Sequence, residues 1–284
     1  MRKILLTTLF ILIGIQFLFG GLIEAKVLAK AVKSEEIIIV SARSSSDYSS
    51  KHIKDAVNLY HQDLYKADGV PSMLKSPEEI AVILGSRGIT TDSKVVVYDD
   101  GANKMAGRIY WILQYMGVKD VNILKGHIKS WMKSRLPVTG KATEITPVTF
   151  VPDINADIYA SMAYVQANKE RDDVLIVDVR SMDEYNGIDE DELIAHKGHI
   201  PGAINFEYKN ILNEDEALKS KEEIMAALSA AGISGDKEII LYCASSVRAG
   251  IVYAALKSIL EFPRVRVYDG AYYEWQSVDT NSVE

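Results

Sequence analysis

The chain has one cysteine, Cys243, in the stretch EIILYCASSVRAG at residues 238–250. An apolar β-branched run precedes it and a run with helical spacing follows, which places the thiol at a strand-to-helix turn. Ala244, Ser245 and Ser246 are small, so successive backbone N–H groups can turn inward and hold an anion. A helix beginning near Val247 adds the positive end of its dipole. Such a turn favours a thiolate and suits nucleophilic chemistry or a persulfide anion. Arg248 contributes a fixed cation that can face a ligand or hold loop carbonyls. A lone cysteine has no internal disulfide partner, and by itself it reads as a small buried hydrophobe; the loop around it is what favours chemistry.

Other candidates read as supports. Asp178 and Arg180, at the end of the apolar run VLIV (174–177), are spaced to pair and brace the loop. His52, His61, His127 and His196 lack a ligand spacing such as H-E-x-x-H, so no metal site is expected. Trp131 and Trp275 are expected to pack, and Tyr272-Tyr273 to pack or to line a cleft.

The frame around Cys243 occurs twice. KVVVYDDGANKMAGR, from residue 94, repeats the pattern 144 residues earlier with Asp99 in place of the cysteine. At that offset Ser76-Pro77-Glu78-Glu79 matches Ser220-Lys221-Glu222-Glu223, and Gly88-Ile89, Tyr98 and Trp131 match Gly232-Ile233, Tyr242 and Trp275. Both S-x-x-E segments predict capping boxes at helix starts. A carboxylate in the first loop would repel an anionic donor. A repeat of this length implies two similar domains.

The elements that position these loops are short β-branched runs at 37–40, 95–98, 121–124, 174–177, 239–242 and 265–268, separated by helical patterns. Continuous apolar strands of this kind predict a parallel sheet covered on both faces, with ligands bound beyond the carboxyl ends of the strands. The Thr- and Pro-containing stretch 140–155 reads as a linker between domains at 35–139 and 156–284.

Composition is that of a globular protein, 48% hydrophobic and 25% charged, and the net charge of −7 without a basic stripe excludes nucleic acid as a partner. Residues 1–29 read as a signal peptide or N-terminal membrane anchor. Arg2 and Lys3 precede an uncharged run, Ile4 to Ile23, and the small residues Ala25 and Ala29 offer cleavage sites. Export to a periplasm or cell envelope is the expectation, with membrane contact only through residues 4–23 if they are retained.

The segments VVVYDDGANKMAGRIYWIL, GHIKSWMKSRLPVTG, VLIVDVRSMDEY, KGHIPGAINF, EIILYCASSVRAG and VYDGAYYEW, in this order, resemble the tandem-domain rhodanese family of sulfurtransferases. The resemblance implies two α/β domains, each a doubly wound, mainly parallel five-stranded sheet with helices on both faces. It implies a catalytic second copy and an inactive first copy that helps wall the site. Cys243 would take sulfane sulfur as a persulfide, cradled by Ala244, Ser245, Ser246, Val247 and Arg248, with Asp178 and Arg180 in support. The donor would be thiosulfate, with 3-mercaptopyruvate second, and the acceptor cyanide, a thiol or a protein thiol. No metal and no organic cofactor is implied. The six-residue span from Cys243 to Arg248 is one shorter than in similar phosphatases and arsenate reductases, which favours sulfur. Two departures bear on the donor. Glu184 stands where similar enzymes carry an arginine, and Asp189, Glu190, Asp191 and Glu192 follow it. An acidic rim should disfavour a small dianion, so that Glu184→Arg would improve thiosulfate turnover. The alternative is a non-catalytic rhodanese-like carrier or binding module.

Overall fold

The computed structural model describes residues 21–101, 103–188 and 191–284. The N-terminal half contains β1 (Leu22–Ile23), α1 (Ala25–Ala31), β2 (Ile37–Ser41), α2 (Ser45–Ser50), β3 (His52–Ile53), β4 (Val57–Asn58), α3 (Pro77–Ser86), β5 (Lys94–Tyr98), α4 (Lys104–Tyr115), β6 (Asp120–Leu124), α5 (His127–Lys133) and β7 (Val138–Thr139). The C-terminal half contains β8 (Tyr159–Ala160), α6 (Met162–Asn168), β9 (Val174–Asp178), α7 (Met182–Tyr185), β10 (Ile204–Asn205), α8 (Lys221–Ala230), β11 (Glu238–Tyr242), α9 (Val247–Ala254), β12 (Val265–Tyr268) and α10 (Ala271–Gln276).

Each half forms a five-stranded parallel sheet, in the order β1-β6-β5-β2-β4 and, read the same way, β8-β12-β11-β9-β10. The strand alternation explains why both faces are covered. On β5, Val95 and Val97 face a core that includes Ile80, Leu84 and Ile109, while Val96 and Tyr98 face Leu28, Ile128 and Trp131. On β11, Ile239 and Leu241, with Cys243 just beyond the strand, share the first of these cores, and Ile240 and Tyr242 face Val165 and Trp275. One face of each sheet therefore joins a core common to both halves.

The seam of that common core is the crossing of α4 and α9. A Cβ on Gly107 would lie 2.4 Å from the Ile251 nitrogen, and one on Gly250 would lie 2.6 Å from the Arg108 nitrogen. Glycine at both positions lets the two helix backbones touch. Arg108, fully buried, crosses the seam to Asp269 (Nη2–Oδ1 2.6 Å), and its Nε donates to Tyr65 Oη at 3.2 Å.

The capping boxes form as predicted. Ser76 N–H donates to Glu79 Oε2 and Ser220 N–H to Glu223 Oε2, both at 2.9 Å, and Glu79 and Glu223 N–H return bonds to the serine hydroxyls. The expected linker has no regular element from 140 to 155. It lies along the first domain, with Val148 N–H bonded to Gly85 O and Asn155 N–H to Tyr115 O.

The first domain begins before residue 35. Leu22 and Ile23 pair with Ile123 and Leu124, and Ile23, Ala25 and Leu28 are buried. β1 and α1 occupy the places that β8 and α6 occupy in the second domain. Cleavage after Ala25 would remove the edge strand β1, and cleavage after Ala29 would remove most of α1 as well, so those expected sites do not fit the fold. Residues 4–20 of the expected export segment lie outside the described residues. Among the described residues no helix is long and apolar enough to cross a membrane.

Candidate active site

Cys243 follows the last residue of β11, at the carboxyl end of the sheet's central strand. Its carbonyl accepts from Tyr272 N–H and that of Ala244 from Tyr273 N–H, both at 3.0 Å, so α10 anchors one edge of the loop. Ser246 adopts a left-handed conformation (φ 62°) as the residue before α9, and its hydroxyl donates to Tyr268 O. Among the described residues, the N–H groups of Ala244 to Arg248 are given to no backbone acceptor. That is the donor array an anion-holding loop requires. The thiol is fully covered in this conformation, and Cys243 is not disulfide-bonded.

The loop of the first domain has the same frame, with the Asp99 carboxylate bonded to two of its N–H groups. Asp99 Oδ1 accepts from Gly101 N–H (3.3 Å) and meets His127 Nδ1 (3.1 Å), and Oδ2 accepts from Ala106 N–H (3.1 Å). Asn103 is the left-handed residue there (φ 51°). The repeat offset falls from 144 at Asp99 and Cys243 to 143 at Gly107 and Gly250, so this loop is one residue longer. The carboxylate thus does more than repel an anion: it fills the site with its own oxygens. His127, which shows no metal-ligand spacing in the sequence, lies against that carboxylate.

Asp178 and Arg180 pair with each other and are fully buried. Asp178 Oδ1 accepts from Arg180 N–H and Nε, Oδ2 from Nη2 at 2.6 Å, and the same Nη2 donates to Gly198 O. The guanidinium lies 4.0 Å from the Tyr272 ring centroid. The tyrosine pair therefore divides. Tyr272 packs on Arg180, while Tyr273 reaches the site and donates to Asp191 at 2.8 Å. His199 stacks on Tyr185 at 3.6 Å, as His52 stacks on Tyr48 at 3.8 Å in the first domain, so both support turns. Trp131 and Trp275 are buried and donate to Pro137 O and Ser282 O, each at 2.9 Å.

Glu184 is not part of an open acidic rim. It is the third residue of α7 and completes a capping box with Ser181, whose N–H and hydroxyl both reach Oε2 at 3.0 Å. Both Arg248 Nη atoms donate to its two oxygens at 2.6 Å. Burial alone would push the Glu184 carboxyl up. The bonds and charge of Arg248, with those of Ser181, outweigh it and hold the group down at about 2. Burial likewise opposes the Arg248 charge, but Glu184 and the neighbouring Cys243 sulfur overcome this and raise its pKa. Asp189 and Glu190 lie outside the described residues, and Asp191 is engaged by Tyr273 and Leu193 N–H.

Tyr65 of the first domain is buried in the same core as Cys243, and its hydroxyl accepts from Arg108 Nε. Burial raises the Tyr65 pKa to about 12, against the lowering effect of Arg108. His61, whose Nδ1 is 2.9 Å from Tyr65 Oη, is driven down to about 4 by burial and then by Arg108 and Lys104. The sequence carries no signal for Tyr65 or His61, because their relation to Cys243 depends on how the two halves pack.

Rhodanese-like domains match residues 24–134 and 161–278. The chain is similar to the 3-mercaptopyruvate sulfurtransferase of Escherichia coli, with 33% identity over 87% of this chain and 92% of that one. It is 30% identical to the thiosulfate sulfurtransferase of Azotobacter vinelandii, over 92% and 96% of the two chains. Among solved structures it resembles the anaerobic ergothioneine biosynthesis enzyme of Chlorobium limicola bound to trimethyl histidine. The TM-score there is 0.85 at 26% identity, over 93% of this chain and 70% of that one. Two matched domains, two sheets of one order and one free thiol at a strand end assign the chain to the tandem rhodanese family of sulfurtransferases.

Proposed function

We propose that the protein transfers sulfane sulfur from a small anionic donor, thiosulfate or 3-mercaptopyruvate, to a thiophilic acceptor through a persulfide on Cys243. The observation that carries this reading is the contrast between the two loops. The Cys243 loop keeps its N–H donors free of backbone acceptors, whereas Asp99 fills the equivalent loop with its own carboxylate.

In the first half-reaction the Cys243 thiolate attacks the sulfane sulfur. With thiosulfate the sulfur–sulfur bond breaks and sulfite leaves with its electron pair. With 3-mercaptopyruvate the carbon–sulfur bond breaks, and the enolate released takes up a proton to become pyruvate. The outer sulfur then carries the charge, and the N–H groups from Ala244 to Arg248 are the donors available to it. In the second half-reaction cyanide or a thiolate attacks that sulfur, and the Cys243 thiolate leaves. Arg248, beside the sulfur, stabilises the anion in both states. Asp178 and Arg180 hold the end of β9 against the loop without touching the reacting atoms. Because the thiol is covered, the cleft has to open before a donor reaches it.

The test is intact-mass measurement after incubation with each donor. The reading expects one added sulfur that cyanide removes, and none in Cys243→Ser. No adduct with either donor, or an adduct that persists in Cys243→Ser, would overturn it.

A further inference from the structure

Three arginines, two of them buried, are each matched by a carboxylate at 2.6 Å: Arg108 with Asp269, Arg180 with Asp178, Arg248 with Glu184. The third pair differs from the others in its place. Arg248 belongs to the loop that holds Cys243, and its neighbour the sulfur is one cause of its raised pKa. The pair is also the least buried, with the side chains of Arg248 and Glu184 21% and 13% exposed.

Two-pronged pairing fixes the guanidinium plane as well as its distance. Glu184 is itself fixed, since the same carboxylate receives Ser181 N–H and hydroxyl at the start of α7. The chain Ser181–Glu184–Arg248 therefore ties a helix start in one loop to the cation of another loop, 64 residues away. It also cancels the charge of that cation. An isolated guanidinium would favour a dianion over a monoanion; a closed ion pair offers a donor only a dipole.

We propose that Glu184 is a positioning and specificity-determining residue: it holds Arg248 beside the Cys243 sulfur and lowers the charge the site presents, so that a dianionic donor gains little over a monoanionic one. This rests on the reading of Cys243 as the sulfur-bearing residue. It replaces repulsion by an open rim with neutralisation of the loop's own cation, and it reverses the expectation for Glu184→Arg. An arginine there would lose the capping box and confront Arg248 with a like charge.

Glu184→Gln is the informative variant, because glutamine also serves at the third position of a capping box. It removes the charge while keeping one acceptor for Arg248. The KM for thiosulfate should fall about five-fold relative to that for 3-mercaptopyruvate, the size of one partly screened charge. Glu184→Asp keeps the charge but shortens the reach by one methylene. It should lower kcat several-fold while leaving the ratio of the two KM values within about two-fold. Alkylation of Cys243 by iodoacetamide at neutral pH should be faster in Glu184→Gln than in the parent protein, and this readout needs no sulfur donor.

A KM ratio unchanged in Glu184→Gln together with unchanged alkylation overturns the proposal. So does a Glu184→Asp variant that shifts the ratio as far as Glu184→Gln does. If no protein forms a persulfide while alkylation still responds to Glu184→Gln, the sulfur-transfer reading fails and the control of Cys243 by Glu184 stands.

Discussion

Gly107→Ala tests whether the contact between the two domains sets the geometry of the site. The added methyl would sit 2.4 Å from the Ile251 nitrogen and 2.5 Å from its Cα, both backbone atoms of α9. Ordinary contact begins near 3.4 Å, so the helices must part by roughly 1 Å. A gap of that size forfeits about a quarter to a half of each dispersion contact along the seam. Overpacking against backbone that cannot rotate away costs about 1–3 kcal/mol. For a protein of this size that lowers Tm by roughly 2–4 °C per kcal/mol. The functional effect follows from position: α9 starts at Val247, and the loop from Cys243 leads into it. A displacement near 1 Å at reacting groups costs on the order of 100-fold in rate. The assay is thermal unfolding by circular dichroism alongside sulfur transfer from thiosulfate to cyanide. The expected result is a Tm lowered by several degrees and a kcat/KM reduced at least ten-fold, with the Cys243 thiol intact by titration. A Tm within a degree of the parent and transfer within two-fold would show that the helices slide freely and that the seam does not fix the loop.

Two further outcomes follow from burial. Compared with a chain starting at Gly21, one starting at Lys30 lacks β1 and most of α1, with buried Ile23 and Leu28, and should be several kcal/mol less stable; equal stability would mean that β1 is dispensable. His61 is neutral in the fold, with a pKa lowered from 6.5 to about 4, so the unfolded chain binds more protons in that window and stability should fall as pH drops from about 6.5 toward 4. Chemical denaturation of His61→Gln should show a shallower decline between pH 6.5 and 5, above the range in which Glu184 contributes, and an identical slope would refute the assignment to His61.

Much of the fold is written in local sequence. The six apolar runs are the six longer strands, and both predicted capping boxes close, because strand burial and helix capping depend on residues within a few positions of each other. The two-residue strands β1, β4, β8 and β10 are too short for any periodicity, and they exist because a longer neighbour supplies their hydrogen bonds. That is why β1 reads as the end of an apolar leader in sequence and as a sheet edge in the structure.

The same division holds at the site. The sequence by itself determined that one of two matching turns carries a thiol, that small residues and an arginine follow it, and that Asp178 can reach Arg180 two residues on. Packing alone decided that Glu184 closes on Arg248, that Asp99 meets His127 in the twin loop, and that Arg108 of the first domain pairs with Asp269 of the second. These are contacts between residues tens to hundreds of positions apart. A charge read along the chain has a sign but no partner. Only the folded chain, by bringing Glu184 within 2.6 Å of Arg248, decides that the two charges cancel rather than act separately on a donor.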